Sequence, residues 1–157
     1  MRLFLVQHGN ALPKDVDPER GLSERGKQDV ANVAAFLARG SVQVGRIFHS
    51  GKKRAWETAE VFRVCLIGCV NFDERDGIAP LDPVVGVAEE IQNLSMDTMF
   101  VGHLPFMRKL VAHLIAGNED ISVVSFTPGT VVCLERDGND IWSVAWVVRP
   151  ELLKSLS

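Results

Sequence analysis

The sequence predicts an α/β protein, a three-layer α/β/α sandwich whose central sheet is mostly parallel and has an antiparallel edge. Short apolar runs alternate with amphipathic stretches of helical spacing, a pattern typical of a parallel sheet covered by helices on both faces. The chain closes with two extended runs joined by Asp137-Gly138-Asn139-Asp140, which indicates a hairpin at the sheet edge. Its 157 residues fit one ordinary domain, so we expect a single domain over 1-157.

The predicted strands are short segments bounded by polar or turn-forming residues. An unbroken apolar run such as that over 3–6 is typical of a strand buried on both faces. The predicted strands cover 3–6, 46–49, 70–73, 98–101, 130–136 and 141–148.

The predicted helices follow the strands and carry apolar stripes at helical spacing. Ser23 is the predicted N-cap of the first helix, and Gly40 stands where a C-terminal glycine cap belongs. Ser50 is the predicted N-cap of the second helix. A third helix is predicted around 84–94, and Pro105 falls in the first turn of a fourth, where proline is tolerated.

Composition and charge exclude several classes of protein. The hydrophobic fraction of 46% and the charged fraction of 24% are those of a globular protein rather than a disordered one. A net charge of -3 argues against a nucleic-acid partner bound through a large basic face. No apolar stretch is long enough to span a bilayer or to form a signal-peptide core, so we expect no membrane partner and a cytoplasmic location.

The three cysteines do not indicate a secreted disulfide framework, because their number is odd and they are sparse. Cys65 and Cys69 lie in an apolar stretch and are expected to be buried as small hydrophobic residues. Other metal-ligating residue types at close spacing are missing around them, which argues against a metal site there.

Polar clusters follow three of the predicted strands, over 7–10, 50–54 and 102–103. In sheets of this kind, ligands bind at the carboxyl ends of the strands, so the fold can bring these clusters to one rim. His8 and His103 each follow a strand and each neighbour a glycine, which lets the backbone approach a ligand closely. A structural or merely exposed role stays open for each histidine, although the pair together favours a site.

Lys52, Lys53 and Arg54 strengthen the expectation of an anion site. Cations at the first turn of a helix are unfavourable because they oppose the helix dipole. An anion bound there would interact favourably with both the cations and the backbone N–H groups. For Lys52 and Lys53, a solvated basic surface is the open alternative.

Four motifs then occur in a recognisable order along nearly the whole chain: Gln7-His8-Gly9, Leu22-Ser23-x-x-Gly26, Ser50-x-x-x-Arg54-Ala55-x-x-Thr58-Ala59 and Gly102-His103-Leu104-Pro105. In this order they resemble the histidine phosphatase superfamily, whose fold is called phosphoglycerate mutase-like. The short phosphohistidine phosphatases of the SixA type are the members whose size the chain matches.

The resemblance implies roles for these residues. His8 would be the nucleophile that forms a phosphohistidine intermediate, which water then hydrolyses. Arg54 would clamp the phosphoryl oxygens with its planar fork, and His103 would donate a hydrogen bond or charge to them. It implies neither cofactor nor metal, and a substrate that is a phosphorylated protein (phosphohistidine) or a small phosphate ester. The implied phosphate-binding residues are Gln7, His8, Gly9, Asn10, Arg54 and His103.

The sequence departs from the family pattern at Gln7, where the family signature has an arginine. Glutamine carries no charge and cannot make a bidentate cationic contact, and hydrogen bonds to charged groups contribute more than neutral ones. Two functions therefore stay open: a phosphatase weakened by Gln7, and a catalytically poor phosphate-binding pseudoenzyme that recognises a phosphorylated partner.

A second departure concerns the general acid. Gly77 aligns with a glutamate of many relatives, and Asp76 or Asp82 could replace it, or could be ordinary turn residues. Arg20 lies before the Leu22-Ser23 motif and either faces substrate or is a surface residue.

A histidine metal site is the remaining alternative, with His8, His49 and His103 as its ligands. The sequence shows no carboxylate or cysteine that would complete such a ligand set.

Overall fold

Six strands form one mixed sheet in the computed structural model, which describes residues 1–154. The final residues of the predicted domain, 155–157, lie outside the described part. In chain order the elements are β1 (Arg2–Gln7), α1 (Glu24–Arg39), β2 (Arg46–His49), α2 (Lys53–Cys65), β3 (Asn71–Glu74), α3 (Val85–Gln92), β4 (Thr98–Gly102), α4 (Phe106–Ala116), β5 (Val131–Arg136), β6 (Trp142–Val148) and a 3-10 turn (Pro150–Leu152).

The strand order is β3-β2-β4-β1-β5-β6. Strands β3, β2, β4 and β1 run parallel, with Leu5 opposite Phe100 at the centre. Strand β5 is antiparallel to β1, and β6 is antiparallel to β5. The Asp137 N–H donates to the Ile141 carbonyl at 3.0 Å and closes the turn between them. The predicted mixed sheet with an antiparallel edge is confirmed.

Two apolar clusters lie on opposite faces of the sheet. Phe4 and Val6 of β1 pack in the cluster that holds the buried faces of α1 and α2. Leu3 and Leu5 alternate with them and pack in the cluster that holds α3 and α4. The first strand is therefore buried on both sides, and the three-layer α/β/α architecture is confirmed.

The ends of the helices confirm some of the predicted caps. The Ser23 Oγ accepts a hydrogen bond from the Gly26 N–H at 3.0 Å and caps α1. Gly40 is the C-cap of α1, but its φ is -78°, and the left-handed φ of 59° falls on Ser41 instead. Gly117 ends α4 with a left-handed φ of 67°.

Two predicted caps are wrong in detail. The N-cap of α2 is Lys52, whose side chain makes no capping hydrogen bond. Ser50 lies two residues earlier, and its hydroxyl is bonded to His103. Pro105 is the N-cap residue of α4, one position before the first turn. Its missing N–H costs nothing at that position either.

The expected burial of Cys65 is also wrong. Cys65 is exposed and Cys69 is half-buried, while Cys133 is buried in β5. The apolar stretch around the first two connects α2 to β3 at the surface, where Val70 keeps 84% of its area exposed. Over residues 1–154, none of the helices has both the length and the apolar character needed to cross a membrane.

Candidate active site

The three polar clusters meet at one edge of the sheet because they follow neighbouring parallel strands. Gln7 at the end of β1 lies opposite Gly102 of β4, and His49 at the end of β2 lies opposite Val101. The His8 N–H donates to the Gly102 carbonyl at 2.9 Å, which extends the ladder one residue past β1. The expected rim is therefore formed.

His8 has a defined tautomer. Its Nδ1 lies 2.7 Å from the Gly9 carbonyl oxygen, and because that oxygen can only accept, Nδ1 carries the proton. The lone pair of the neutral ring is then on Nε2. Burial, followed by the charges of Arg54 and Arg20, lowers the pKa of His8 to about 4, against the raising effect of the Gly9 hydrogen bond. At neutral pH the ring is uncharged and Nε2 is nucleophilic.

The backbone of Gly9 holds His8 in place. The Gly9 N–H donates to the Thr58 Oγ1 at 3.0 Å, and the Thr58 hydroxyl donates to the Arg54 carbonyl at 2.7 Å. A Cβ on Gly9 would lie 2.7 Å from the Val30 Cγ2, so only glycine fits between the rim and α1. With both backbone groups of Gly9 engaged, this residue orients the nucleophile rather than donating to an anion.

His103 faces His8 across the rim, with 5.1 Å between the ring centroids. It is 2% exposed, and burial, His8, Arg54 and Lys52, in that order, lower its pKa to about 3. Its Nε2 lies 2.6 Å from the Ser50 Oγ, whereas its buried Nδ1 has no hydrogen-bond partner in the structure. Such an unpartnered polar atom is costly unless a ligand satisfies it.

Arg54 is the second residue of α2 and points a cation at the rim. Its Nε is buried without a hydrogen-bond partner, and no carboxylate of residues 1–154 forms an ion pair with it. Burial, and then the nearby charge of Arg20, lower the pKa of Arg54. A half-buried guanidinium without a counter-charge is partly desolvated, so the site favours an anion.

Lys53 behaves differently from Arg54. Its Nζ pairs with Asp17 at 3.2 Å and with Glu19 at 3.7 Å. These two carboxylates neutralise it, so of the three consecutive cations only Lys52 and Arg54 remain for an anion.

A groove of about 790 Å³ opens beside Arg54. Arg20 lines it with Lys14 and Lys52, and the Arg20 Nε donates to the Leu12 carbonyl at 3.1 Å. Arg20 adopts a left-handed φ of 52°, and its side chain lies in the groove rather than on the outer surface. Trp56, 46% exposed, forms part of the wall.

Asn10 serves the framework of the site. Its Oδ1 accepts from the Ser23 hydroxyl at 2.7 Å, and its carbonyl accepts from the Ser23 N–H at 3.0 Å. A Cβ on Gly26 would meet the Asn10 carbonyl oxygen at 2.1 Å, which explains the spacing of the Leu22-Ser23-x-x-Gly26 motif. The motif thus anchors the loop after β1 to the start of α1.

Gln7 is 8% exposed, and its Oε1 is buried without a hydrogen-bond partner. Its backbone N–H donates to the Thr130 carbonyl at 3.2 Å, so the residue is fixed by the sheet. Gln7 thus brings a neutral amide to the end of β1, at the position where the resemblance would put an arginine.

The two candidate acids are not brought into contact with the histidines. The Asp82 Oδ2 accepts from the Ala79 N–H at 2.9 Å, a turn-forming contact within its own loop. Asp76 accepts from Arg75 through its backbone carbonyl. Their loop does reach the site edge, because a Cβ on Gly102 would lie 3.4 Å from the Ile78 carbonyl oxygen.

No metal-binding cluster accompanies these residues. Within the described range 1–154, no group of three or more His, Cys, Asp or Glu side chains could hold a metal ion. The His49 Nδ1 accepts from the Gly51 N–H at 3.2 Å and its ring packs on Phe72, so it supports the turn after β2.

Two residues that matter here were not expected at the site. Ser50 contacts His103, and Thr58 links Gly9 to α2. Both lie within the motif around Arg54, and that motif is the only signal in the sequence that points to them.

Comparison with known proteins gives matches by structure alone. No protein-family model and no curated protein sequence matches the chain. A structure of the protein histidine phosphatase SixA complexed with tungstate superposes with a TM-score of 0.85, at 25% identity over 98% of this chain and 100% of that chain.

Two more distant structures share the fold. One, assigned provisionally as the phosphohistidine phosphatase SixA of Agrobacterium tumefaciens, has a TM-score of 0.75 and 20% identity, over 94% of this chain and 97% of that chain. A phosphoserine phosphatase from Entamoeba histolytica, in complex with 3-phosphoglyceric acid, has a TM-score of 0.71 and 12% identity, over 93% of this chain and 95% of that chain. By its fold and by the order in which its motifs meet at the rim, the chain is similar to the histidine phosphatase SixA.

Proposed function

We propose that this chain is a metal-independent phosphatase that hydrolyses phosphohistidine, or a small phosphomonoester, through a phosphohistidine intermediate on His8. The observation that carries the proposal is the His8 Nε2, which is left free and neutral by the bond from Nδ1 to the Gly9 carbonyl. It lies near two buried nitrogen atoms without a hydrogen-bond partner, the Arg54 Nε and the His103 Nδ1, and both side chains suit phosphoryl oxygens.

The chemistry follows from these atoms. The Nε2 lone pair attacks phosphorus, a P–N or P–O bond of the substrate breaks, and the leaving group departs with that electron pair. The charged ring of phosphorylated His8 keeps its Nδ1–H on the Gly9 carbonyl. Water then attacks phosphorus, the P–Nε2 bond breaks, and inorganic phosphate is released.

A phosphohistidine substrate suits this site better than a sugar phosphate. A protonated imidazole leaves readily without a general acid, and neither Asp76 nor Asp82 contacts His8 or His103 among the described residues. The basic groove beside Arg54 offers Lys14, Lys52 and Arg20 to the remainder of a phosphorylated protein. The cytoplasm is the expected compartment.

Trapping of the phosphoenzyme tests the proposal. Incubation with a labelled phosphohistidine protein, followed by alkaline quenching, should place the label on His8. The His8→Ala variant should carry none, whereas His113→Ala, which changes a histidine of α4 outside the site, should be labelled like the original chain. Release of phosphate no faster than by His8→Ala, from either the phosphohistidine protein or an aryl phosphate, would contradict the proposal.

A second function is favoured by one observation, the neutral and buried Gln7. A site that keeps Arg54, His103 and the oriented His8 but lacks the arginine could bind a phosphorylated partner without turning it over. Tight binding of phosphate or tungstate with no labelled His8 would support this pseudoenzyme.

The pH dependence provides a separate prediction. Protonation of Nε2 removes the nucleophilic lone pair, so activity should fall as the pH drops through about 4, rather than through the ordinary histidine pKa of about 6.5. An NMR titration of the His8 ring, assigned with His8→Ala, and the acid limb of kcat/KM measure the same group. An acid limb near the ordinary value would show that His8 is not buried as described.

The same pKa depression affects stability. The unfolded chain takes up protons on His8 and His103 at a pH where the folded chain does not. The free energy of unfolding should therefore decline as the pH falls from about 6.5 towards the folded-state values.

A further inference from the structure

We propose that Ser50 is a positioning residue that selects the tautomer of His103, so that the ring presents an Nδ1–H donor to the phosphoryl oxygens. This inference rests on the proposed function of the site and deepens it. The contact that motivates it is the 2.6 Å separation of the Ser50 Oγ and the His103 Nε2.

A third group is compatible with the Ser50 hydroxyl as the donor in that hydrogen bond. The backbone N–H of Lys52 lies 3.4 Å from the Ser50 Oγ and donates to it. One acceptor lone pair of the hydroxyl is thus engaged by the chain, and its O–H is free to donate. The His103 Nε2 lies within reach of that O–H at 2.6 Å, and in the proposed direction Nε2 accepts the bond with its lone pair.

The state of the other ring nitrogen is then determined. A neutral imidazole has one N–H, and burial lowers the pKa of His103 to about 3, so the ring is neutral. With Nε2 as acceptor, Nδ1 carries the hydrogen. This Nδ1–H is buried, has no partner in the structure, and belongs to a ring 5.1 Å from that of His8.

The opposite tautomer would harm the site. An Nε2–H donated to Ser50 would leave a lone pair on the buried Nδ1, and that lone pair would repel phosphoryl oxygens. With this tautomer, a neutral His103 can donate a hydrogen bond to the phosphoryl oxygens, and Ser50 is the residue that selects the tautomer. A second cation beside Arg54 is not needed for this role.

The turn after β2 holds the Ser50 hydroxyl in place. Gly51 adopts a left-handed φ of 88°, and a Cβ there would meet the Glu74 Oε1 at 2.1 Å. The Gly51 N–H donates to the His49 Nδ1 at 3.2 Å. Strand β3 and His49 thus contact the turn on one side, and His103 contacts the Ser50 hydroxyl on the other side.

The tautomer of His103 can be read without any turnover. Nitrogen-15 NMR of the labelled chain distinguishes a protonated from a bare ring nitrogen, and a His103→Gln variant assigns the signals. We expect Nδ1–H in the original chain and in Ser50→Thr, and a mixture of tautomers in Ser50→Ala. An Nε2–H tautomer in the original chain, or an unchanged ratio in Ser50→Ala, would overturn the proposal even if the phosphatase assay succeeds.

Function should follow the tautomer. Ser50→Ala should lower kcat about tenfold with KM changed less than about threefold, and Ser50→Thr should restore kcat. Tungstate affinity, measured by calorimetry, should fall about tenfold in Ser50→Ala, and this readout remains if the chain proves to be a pseudoenzyme. Thermal unfolding checks that Ser50→Ala is folded. Unchanged tungstate affinity in a folded Ser50→Ala would contradict the role.

Discussion

Replacement of Arg54 by alanine should reduce turnover by about 10³-fold and should weaken phosphate or tungstate binding in the same variant. Arg54 is half-buried at the rim and forms no ion pair among the described residues, and its Nε lacks a hydrogen-bond partner. Its planar fork can bond two phosphoryl oxygens at once, and both bonds strengthen as charge develops on those oxygens. Steady-state kinetics and calorimetry with tungstate measure the two effects.

Arg54→Lys is the matched control, because it keeps the charge and loses the fork. We expect it to recover part of the anion affinity and little of the turnover, since an ammonium acts as a point charge. Lys53→Gln tests charge alone on the same helix turn, and it should change turnover little because Asp17 and Glu19 already neutralise Lys53. Turnover by Arg54→Ala within about threefold of the original chain would refute the clamp.

Most of the fold could be predicted from the sequence, because strands, helices and turns are indicated by local residue patterns. The apolar run of β1 and its alternate packing on two faces were readable from residue types. The turn residues between β5 and β6 predict the hairpin that these two strands form. The strand order could not be predicted, because it depends on which strand edges hydrogen-bond to each other over long sequence separations.

The sequence also placed the three clusters at one rim, but it could not assign their contacts. Ser50 was interpreted as a helix cap because serine before a helix usually caps it, and here its hydroxyl bonds His103 instead. The partner of the Ser50 hydroxyl is a residue 53 positions further along the chain, so no local pattern predicts this hydrogen bond. Thr58 was hidden for the same reason, because its bond to Gly9 spans 49 residues.

The largest gain should come from Gln7→Arg. Gln7 is buried at the end of β1, and its Oε1 has no hydrogen-bond partner. The family resemblance would put an arginine at this position. An added guanidinium would place a second bidentate donor on the phosphoryl oxygens. The removal of one hydrogen-bond donor from an oxyanion hole typically costs about 10²–10³-fold in kcat, so Gln7→Arg should raise kcat by a similar factor.

Hydrolysis of a phosphohistidine protein and of an aryl phosphate by Gln7→Arg measures this gain, and Gln7→Lys is the control for charge without the fork. A large gain restricted to arginine would show that His8, Arg54 and His103 form competent machinery limited by a single residue. Tighter tungstate binding without faster hydrolysis would instead mean that the site is built to hold a phosphoryl group. The chain would then bind phosphorylated partners without hydrolysing them, as the pseudoenzyme alternative proposes for a site with Gln7.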